Sequence, residues 1–165
     1  MSSTARFVLP LLTAGQAQKE IFVNEAVTLI DALVQPCVES AGEDTPPADP
    51  LPGQCWVVGA APEAPWTGAA GKLAIWTANG WRYVEPREGM AVHVRSEGVI
   101  ARYVDGVWQI GTVAAHEFRV EGQRVVGPRQ PAIGDPSGGA VVDAEARDTI
   151  AALLDTLRAH GLIAA

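Results

Sequence analysis

Five tryptophans are the residues of this sequence best suited to binding a ligand through their rings, and they lie at Trp56, Trp66, Trp76, Trp81 and Trp108. A sugar can rest its C–H face on an indole ring while nearby polar groups bond its hydroxyls. Trp66 lies in a loop rich in Pro and Gly, where binding residues often occur, and Trp81 directly follows Asn79-Gly80. With Arg82 and Tyr83 beside it, Trp81 is a candidate glycan-binding residue, and so is Trp66. Packing in the core stays open as the alternative for each ring, because indoles bury much apolar area.

Two pairs of acids could instead supply catalytic carboxylates. Glu43 with Asp44, and Glu85 with Glu88, resemble the paired acids that glycosidases need, but only if the fold sets each pair roughly 5 to 10 Å apart across a sugar. The three histidines, His93, His116 and His160, are far apart in the sequence. Because the sequence does not give the distance between the paired carboxylates, a glycan hydrolase that degrades capsule is the less favoured alternative. We expect no enzyme, no catalytic residues, no cofactor and no metal site.

Charge and hydropathy exclude further classes of function. The formal net charge is −7 and the isoelectric point is about 4.9, which argues against nucleic-acid binding because an acidic surface repels phosphates. No apolar run is long enough for a membrane span, so no membrane insertion is expected. Two cysteines, Cys37 and Cys55, do not make a disulfide scaffold, and two free thiols are favoured over one bridge.

The elements that must position these residues begin with an N-terminal docking or oligomerisation arm, residues 1–40. Pro10 favours an extended start, Thr13 with Gln16 has the form of a capping box, and Asn24 is a second possible N-cap for an apolar helix that Pro36 stops. The polar stretch over residues 15–20 has two open interpretations. A docking arm that binds a partner is favoured, and a solvated helix turn is the alternative. The candidate docking residues are Phe7, Leu9, Leu11, Leu12, Gln16, Gln18 and Lys19.

A Pro-rich linker over residues 41–53 is followed by a β domain over residues 54–127. Asn79-Gly80, Asp105-Gly106 and Glu121-Gly122 each separate two short apolar runs, a pattern typical of hairpins with type I′ turns. Alternating apolar residues in 90–95 indicate a strand with one buried face. The sequence therefore predicts a mainly β fold, a small antiparallel β-hairpin barrel or sandwich with helices in the N-terminal arm and a C-terminal helix.

A second linker, residues 128–142, leads to a C-terminal helix over residues 143–165. Asp143 is its predicted N-cap and Gly161 ends it. The apolar stripe of this helix has no evident partner in the sequence, and an isolated helix of this length is marginal in water. We expect it to pack either on the β domain or on copies of itself, and the second arrangement would make the chain a homo-oligomer.

Several stretches resemble the DUF2793 family, a domain family of unknown function. They include Gly15-Gln-Ala-Gln-Lys19, Cys55-Trp-Val-Val58, Ala64-Pro-Trp-Thr-Gly68 and Pro86-Arg-Glu-Gly89. Similar proteins occur in alphaproteobacterial prophages and gene transfer agents, which are phage-derived particles. The resemblance implies a structural protein of a phage-like particle, made in the bacterial cytoplasm.

What the resemblance implies about partners is equally specific. Such a tail fibre or similar peripheral virion protein is expected to act in attachment to the host cell surface, to form trimers, and to contact other virion proteins of the baseplate, tail or head. Cell-surface polysaccharide is a further expected partner. The alternative is a carbohydrate-binding module on a head spike or baseplate.

Overall fold

The computed structural model describes residues 2–12, 19–139 and 143–164, and these residues form two units. The first ends at Val113 and the second begins at Ala114. The first unit contains helix α1 (Lys19–Leu33) and strands β1 (Cys37–Val38), β2 (Ala41–Glu43), β3 (Cys55–Val58), β4 (Leu73–Thr77), β5 (Gly80–Val84), β6 (Ala91–Val94), β7 (Val99–Val104) and β8 (Val107–Ile110). The second contains β9 (Phe118–Val120), β10 (Gln123–Val126) and helix α2 (Ala144–Ala159).

The first unit is built around two four-stranded sheets. Sheet I has the strand order β1-β6-β7-β8 and sheet II the order β2-β3-β4-β5. Their shared core is formed by buried side chains from both sheets and from Ala32 of α1, namely Val38, Cys55, Val57, Leu73, Ile75, Val92, Val94 and Ala101. The predicted mainly β fold is confirmed in its sandwich form, and the described strands do not close into a barrel.

The burial of β6 matches its sequence pattern, whereas β1 and β2 carry no such pattern. In β6, Val92 and Val94 are buried while Ala91 and His93 are exposed, as the predicted period of two requires. Strands β1 and β2 are too short for such a pattern, and both pair in parallel, β1 with the distant strand β6 and β2 with β3, the next strand along the chain. β2 lies at the start of the predicted linker 41–53.

Two of the three predicted type I′ turns have the expected backbone. Asp105 and Gly106, and likewise Glu121 and Gly122, all have positive φ angles. At Asn79-Gly80 the prediction is wrong by one position, because Thr77 pairs with Gly80 and the turn residues are Ala78 and Asn79. Here the Thr77 hydroxyl donates to the Gly80 carbonyl oxygen over 2.7 Å and holds the turn.

The residues next to each helix explain where α1 ends and where α2 begins. Gln35 adopts a φ of 46° just beyond α1, and Pro36 follows it. At the other end of the chain, Asp143 accepts a hydrogen bond from the Ala146 amide and caps α2, as predicted. Asn24 is not an N-cap, since α1 begins earlier, and Thr13 lies outside the described residues.

Candidate functional site

The outer face of sheet II is lined with aromatic residues, and the strand register puts them there. Trp56 is paired with Ala74, Ala74 with Tyr83, and Trp76 with Trp81. Because directly paired residues point to the same side of a sheet, these side chains share one face, opposite the core. We call this surface the aromatic face: Trp56, Trp76, Trp81 and Tyr83.

Trp66 packs onto this face from the loop between β3 and β4. Its ring centroid lies 6.2 Å from that of Trp56 and 5.2 Å from that of Trp81, the latter at an interplanar angle of 82°. Edge-to-face pairs of this kind stabilise a fold by about 0.5–1.5 kcal/mol each beyond their buried area. Trp66 is 0% exposed, so core packing, the alternative left open for this ring, is what the structure shows. Its ring anchors the loop to the sheet.

Trp56 is also buried, at 6% exposed, but the other three rings of the aromatic face are more accessible. Trp76 and Trp81 are half-buried, with centroids 4.9 Å apart, and Tyr83 is 38% exposed. The Tyr83 hydroxyl donates to the Pro65 carbonyl oxygen over 2.9 Å, and burial raises the pKa of this phenol above its ordinary value. Trp81 and Tyr83 therefore offer adjacent, partly open rings at the edge strand β5.

Arg82 lies on the opposite face of β5, away from these rings. It forms an ion pair with Glu25 of α1, with 2.9 Å between Nε and the carboxylate oxygen. The structure thus brings together three of the four predicted glycan-binding residues, Trp66, Trp81 and Tyr83, and directs Arg82 toward the helix instead.

The N-terminal segment, residues 2–12, folds back on itself and is fastened to α1. The Thr4 amide donates to the Leu9 carbonyl oxygen and the Leu11 amide to that of Ser2. Asp31, which is 3% exposed, accepts hydrogen bonds from the Thr4 hydroxyl at 2.7 Å and from the amides of Arg6 and Phe7 at 2.9 and 2.7 Å. This carboxylate is therefore fully engaged in holding the segment.

Arg6 completes the attachment from the other side. Its guanidinium donates to the carbonyl oxygens of Asp31, Ala32 and Gln35 at 2.8 to 2.9 Å. These groups lie at the C-terminal end of α1, where unpaired carbonyls and the helix dipole favour a cation. We call Arg6 and Asp31 the latch.

The predicted docking residues are placed differently from one another. Phe7 and Lys19 are exposed, whereas Leu9, Leu11 and Leu12 are half-buried. The Asn24 side chain bonds both the amide and the carbonyl of Leu12. Gln16 and Gln18 lie outside the described residues. The segment is thus a fastened part of the first unit along residues 2–12.

A groove of about 400 Å³ lies between the N-terminal segment, α1 and the turn after β4. Leu29 and Ile75 are among its apolar walls, and most of its charged groups are already paired, as Arg82 is with Glu25. Glu20 also lines it, and one of its carboxylate oxygens is buried without a hydrogen-bond partner among the described residues.

The family model of DUF2793, described as a protein of unknown function, matches residues 23–109, more than half of the chain. The chain belongs to the DUF2793 family. No curated protein matches it.

The DUF2793 match includes the whole aromatic face and most of α1 with Asp31, but not Arg6 or the second unit. The latch therefore joins a residue of the family domain to one that precedes it. Sequence reasoning missed both latch residues. The available signal was Asp31 itself, a carboxylate within an otherwise apolar helical stretch, which needs partners if it is buried.

Three of the four acids in the two predicted pairs form separate contacts with other residues. Glu85 forms an ion pair with Lys72 at 2.7 Å, Glu88 accepts from the Asp105 amide, and Asp44 accepts from the Ala61 amide. Among the described residues, no group of three or more His, Cys, Asp or Glu side chains is arranged to hold a metal ion. Neither described helix is long and apolar enough to cross a membrane.

Proposed function

We propose that this DUF2793 protein is a structural component of a phage-like particle, a tail fibre or similar peripheral virion protein, and that it acts in attachment to the host cell surface. The resemblance to proteins of prophages and gene transfer agents supports the assignment to a phage-like particle. In this proposal the chain is a non-enzymatic homo-oligomer whose other partners are virion proteins of the baseplate, tail or head.

The second unit carries the proposal, because its described residues hardly form a core. Only Leu154 and Ile163 are buried hydrophobics there, while every residue of β9 and β10 is exposed. Phe118, Val120 and Leu153 are 50%, 59% and 60% exposed. A two-stranded hairpin without such a core is marginally stable in water. Residues 114–139 and 143–164 therefore fit a segment that is stabilised by neighbouring chains in an assembly.

The test is made on particles from the strain that encodes the chain. Purified particles are probed with an antibody against the protein, and particles from a strain with the gene deleted are compared for binding to host cells. We expect the protein in the wild-type particles and reduced adsorption by the deleted ones. Particles that lack the protein in the wild type, or that adsorb equally well without it, contradict the proposal.

A second candidate function is binding of cell-surface polysaccharide by the aromatic face. The observation that favours it is the pair of adjacent, partly open rings at an edge strand, Trp81 and Tyr83. Flat apolar rings beside a polar hydroxyl suit the C–H and O–H groups of a sugar. This function is compatible with attachment, since an attachment protein can bind the glycan itself.

Substitution on the two faces of β5 tests this candidate. Tyr83→Ala and Trp81→Ala should lower binding to purified surface glycan at least tenfold, whereas Arg82→Gln, which alters the opposite face of the same strand, should not. Thermal unfolding of each variant shows whether the fold is kept. Equal glycan binding by folded Tyr83→Ala and Trp81→Ala rules these residues out.

A further inference from the structure

Helix α1 is oriented so that its polar residues beyond the first turn face the protein. Asp31 is buried in the latch, Glu25 is paired with Arg82, and Asn24 is bonded to Leu12. A surface helix normally does the reverse, with charged groups in water and apolar groups against the core. The inner side of α1 is thus held largely by hydrogen bonds and an ion pair, together with Leu29, Ala32 and Leu33.

The opposite side of α1 carries apolar residues into solvent. Phe22 is 77% exposed, Val23 41%, Ile30 51% and Val34 49%, and Ala26 is exposed between them. We call these five residues the ridge. Phe22, Ala26 and Ile30 follow one another at intervals of four and form one inclined row along α1. Val34, one residue beyond the end of α1, continues this row, and its amide donates to the Ile30 carbonyl oxygen.

The ridge is long enough to be the centre of an interface. Its exposed apolar surface is on the order of 400 Å², within the range of the largest patches that monomers leave open. Stable interfaces bury about 800 Å² on each partner, with an apolar centre and a polar rim. The ridge thus provides about half of such an area.

Two features point to another copy of this chain as the partner. Val23, Ala26 and Ile30 are spaced by three and four residues, the spacing at which identical helices pack along a shared seam. Between Phe22 and Val34 the ridge carries no charge, whereas the chain as a whole has a net charge of −7. Two acidic copies repel each other least where an uncharged surface meets itself, and a partner bound through charge would find no counter-charge there.

We infer that the ridge is a self-association surface, at which α1 packs against α1 of a second copy. This deepens the proposed function, on which it rests, by naming the partner and the residues of one contact in the assembly. The latch has a direct role here, since Arg6 and Asp31 hold the C-terminal end of α1, next to which Ile30 and Val34 of the ridge lie.

The native mass of the full chain, by light scattering at micromolar concentration, tests the inference. The wild type should give a multiple of 17.3 kDa, and a Phe22→Glu/Ile30→Glu double variant should give 17.3 kDa, because like charges would then meet across the seam. The matched control is Ile21→Glu, since Ile21 is 61% exposed on the same helix but lines the groove instead of the ridge. It should keep the wild-type mass.

Circular dichroism shows whether each variant is folded, and Phe22→Ser/Ile30→Ser replaces the double variant if that one unfolds. A monomeric wild type overturns the inference, as does an unchanged mass in a folded ridge variant. Whether purified particles contain the protein distinguishes failure of this inference from failure of the proposed function. A monomeric protein that is found in particles overturns the ridge contact alone, whereas an oligomer that particles lack overturns the particle role alone.

Discussion

Cys55 shows how burial alone controls the chemistry of a side chain in this protein. Its thiol lies in the core between the sheets, and burial raises its pKa from 9.0 to about 11, partly offset by the positive charge of Arg6. Cys37 is half-buried, and both cysteines are free, as the sequence predicted. A neutral thiol is a weak nucleophile, so Cys55 is a packing residue.

The raised pKa of Cys55 makes stability depend on pH. The unfolded thiol loses its proton near pH 9.0, while the folded one keeps it to about pH 11. Below pH 9 the contribution of Cys55 to the free energy of unfolding is constant, and it falls by about 2–3 kcal/mol as pH rises through this window. Urea unfolding of the wild type against Cys55→Val, which cannot ionise, should show this difference. Cys37→Val is the control, and it should lose stability in parallel with the wild type.

Trp66 marks the limit of sequence analysis at the scale of single residues. The composition of its loop correctly indicated irregular backbone, but it held no information on whether the loop stands away from the sheet or folds over it. That outcome depends on Trp56 and Trp81, which reach the same face only through the pairing of β3, β4 and β5. The side on which Arg82 lies follows from the same register, which a shift of one residue would reverse.

At the scale of elements, the latch joins the N-terminal segment to α1, and its loss should lower the free energy of unfolding. Asp31→Ala leaves the Thr4 hydroxyl and the Arg6 and Phe7 amides without their acceptor. Unpaired buried donors cost roughly 1–3 kcal/mol each, and partial access to water reduces the sum, so we expect a loss of about 2–4 kcal/mol. Urea unfolding measures it. Asp49→Ala, at an exposed loop position, should change the free energy by less than about 0.5 kcal/mol, and an equal effect of both changes would contradict this role of Asp31.

Helix α1 was predictable as a helix, but its orientation was not. Apolar residues recur along it at helical spacing and Pro36 ends it, as predicted. The spacing implied one buried stripe, whereas Leu29 and Leu33 pack on the core and Ile30 and Val34 face solvent. Periodicity cannot divide a wide apolar arc between a core and an interface, because both exclude water in the same way. The polar contacts of Asp31 and Glu25 decide the division.

At the scale of the whole molecule, the two units have different sources of stability. Among its described residues the first unit has fourteen buried hydrophobic side chains, nine of them in the core between the sheets, whereas the second has two. The sequence placed the hairpin of β9 and β10 within a β domain over 54–127, and the structure groups it with α2. Turn signals identify a hairpin equally well in either place, because they do not depend on what the strands pack against.

Limited proteolysis should separate the two units. Residues 111–116 are exposed and belong to no helix or strand, and such segments are preferred sites of cleavage. A broad-specificity protease should first release a stable fragment that ends near Val113, while residues beyond it are degraded because so little core protects them. All five tryptophans precede Val113, so the fluorescence of the digest should match that of the intact chain.

The same digestion on assembled particles connects this prediction to the proposed function. If neighbouring chains supply the missing core of the second unit, residues 114–165 should resist the protease in particles under conditions that remove them from the isolated chain. The second unit could instead be lost equally fast from particles and from the isolated chain while the first unit is retained. That result would mean that assembly does not cover the exposed apolar residues of β9, β10 and α2. If the second unit survives in the isolated chain, its two buried hydrophobics are enough to keep it folded. That result would contradict the low stability expected for so small a core.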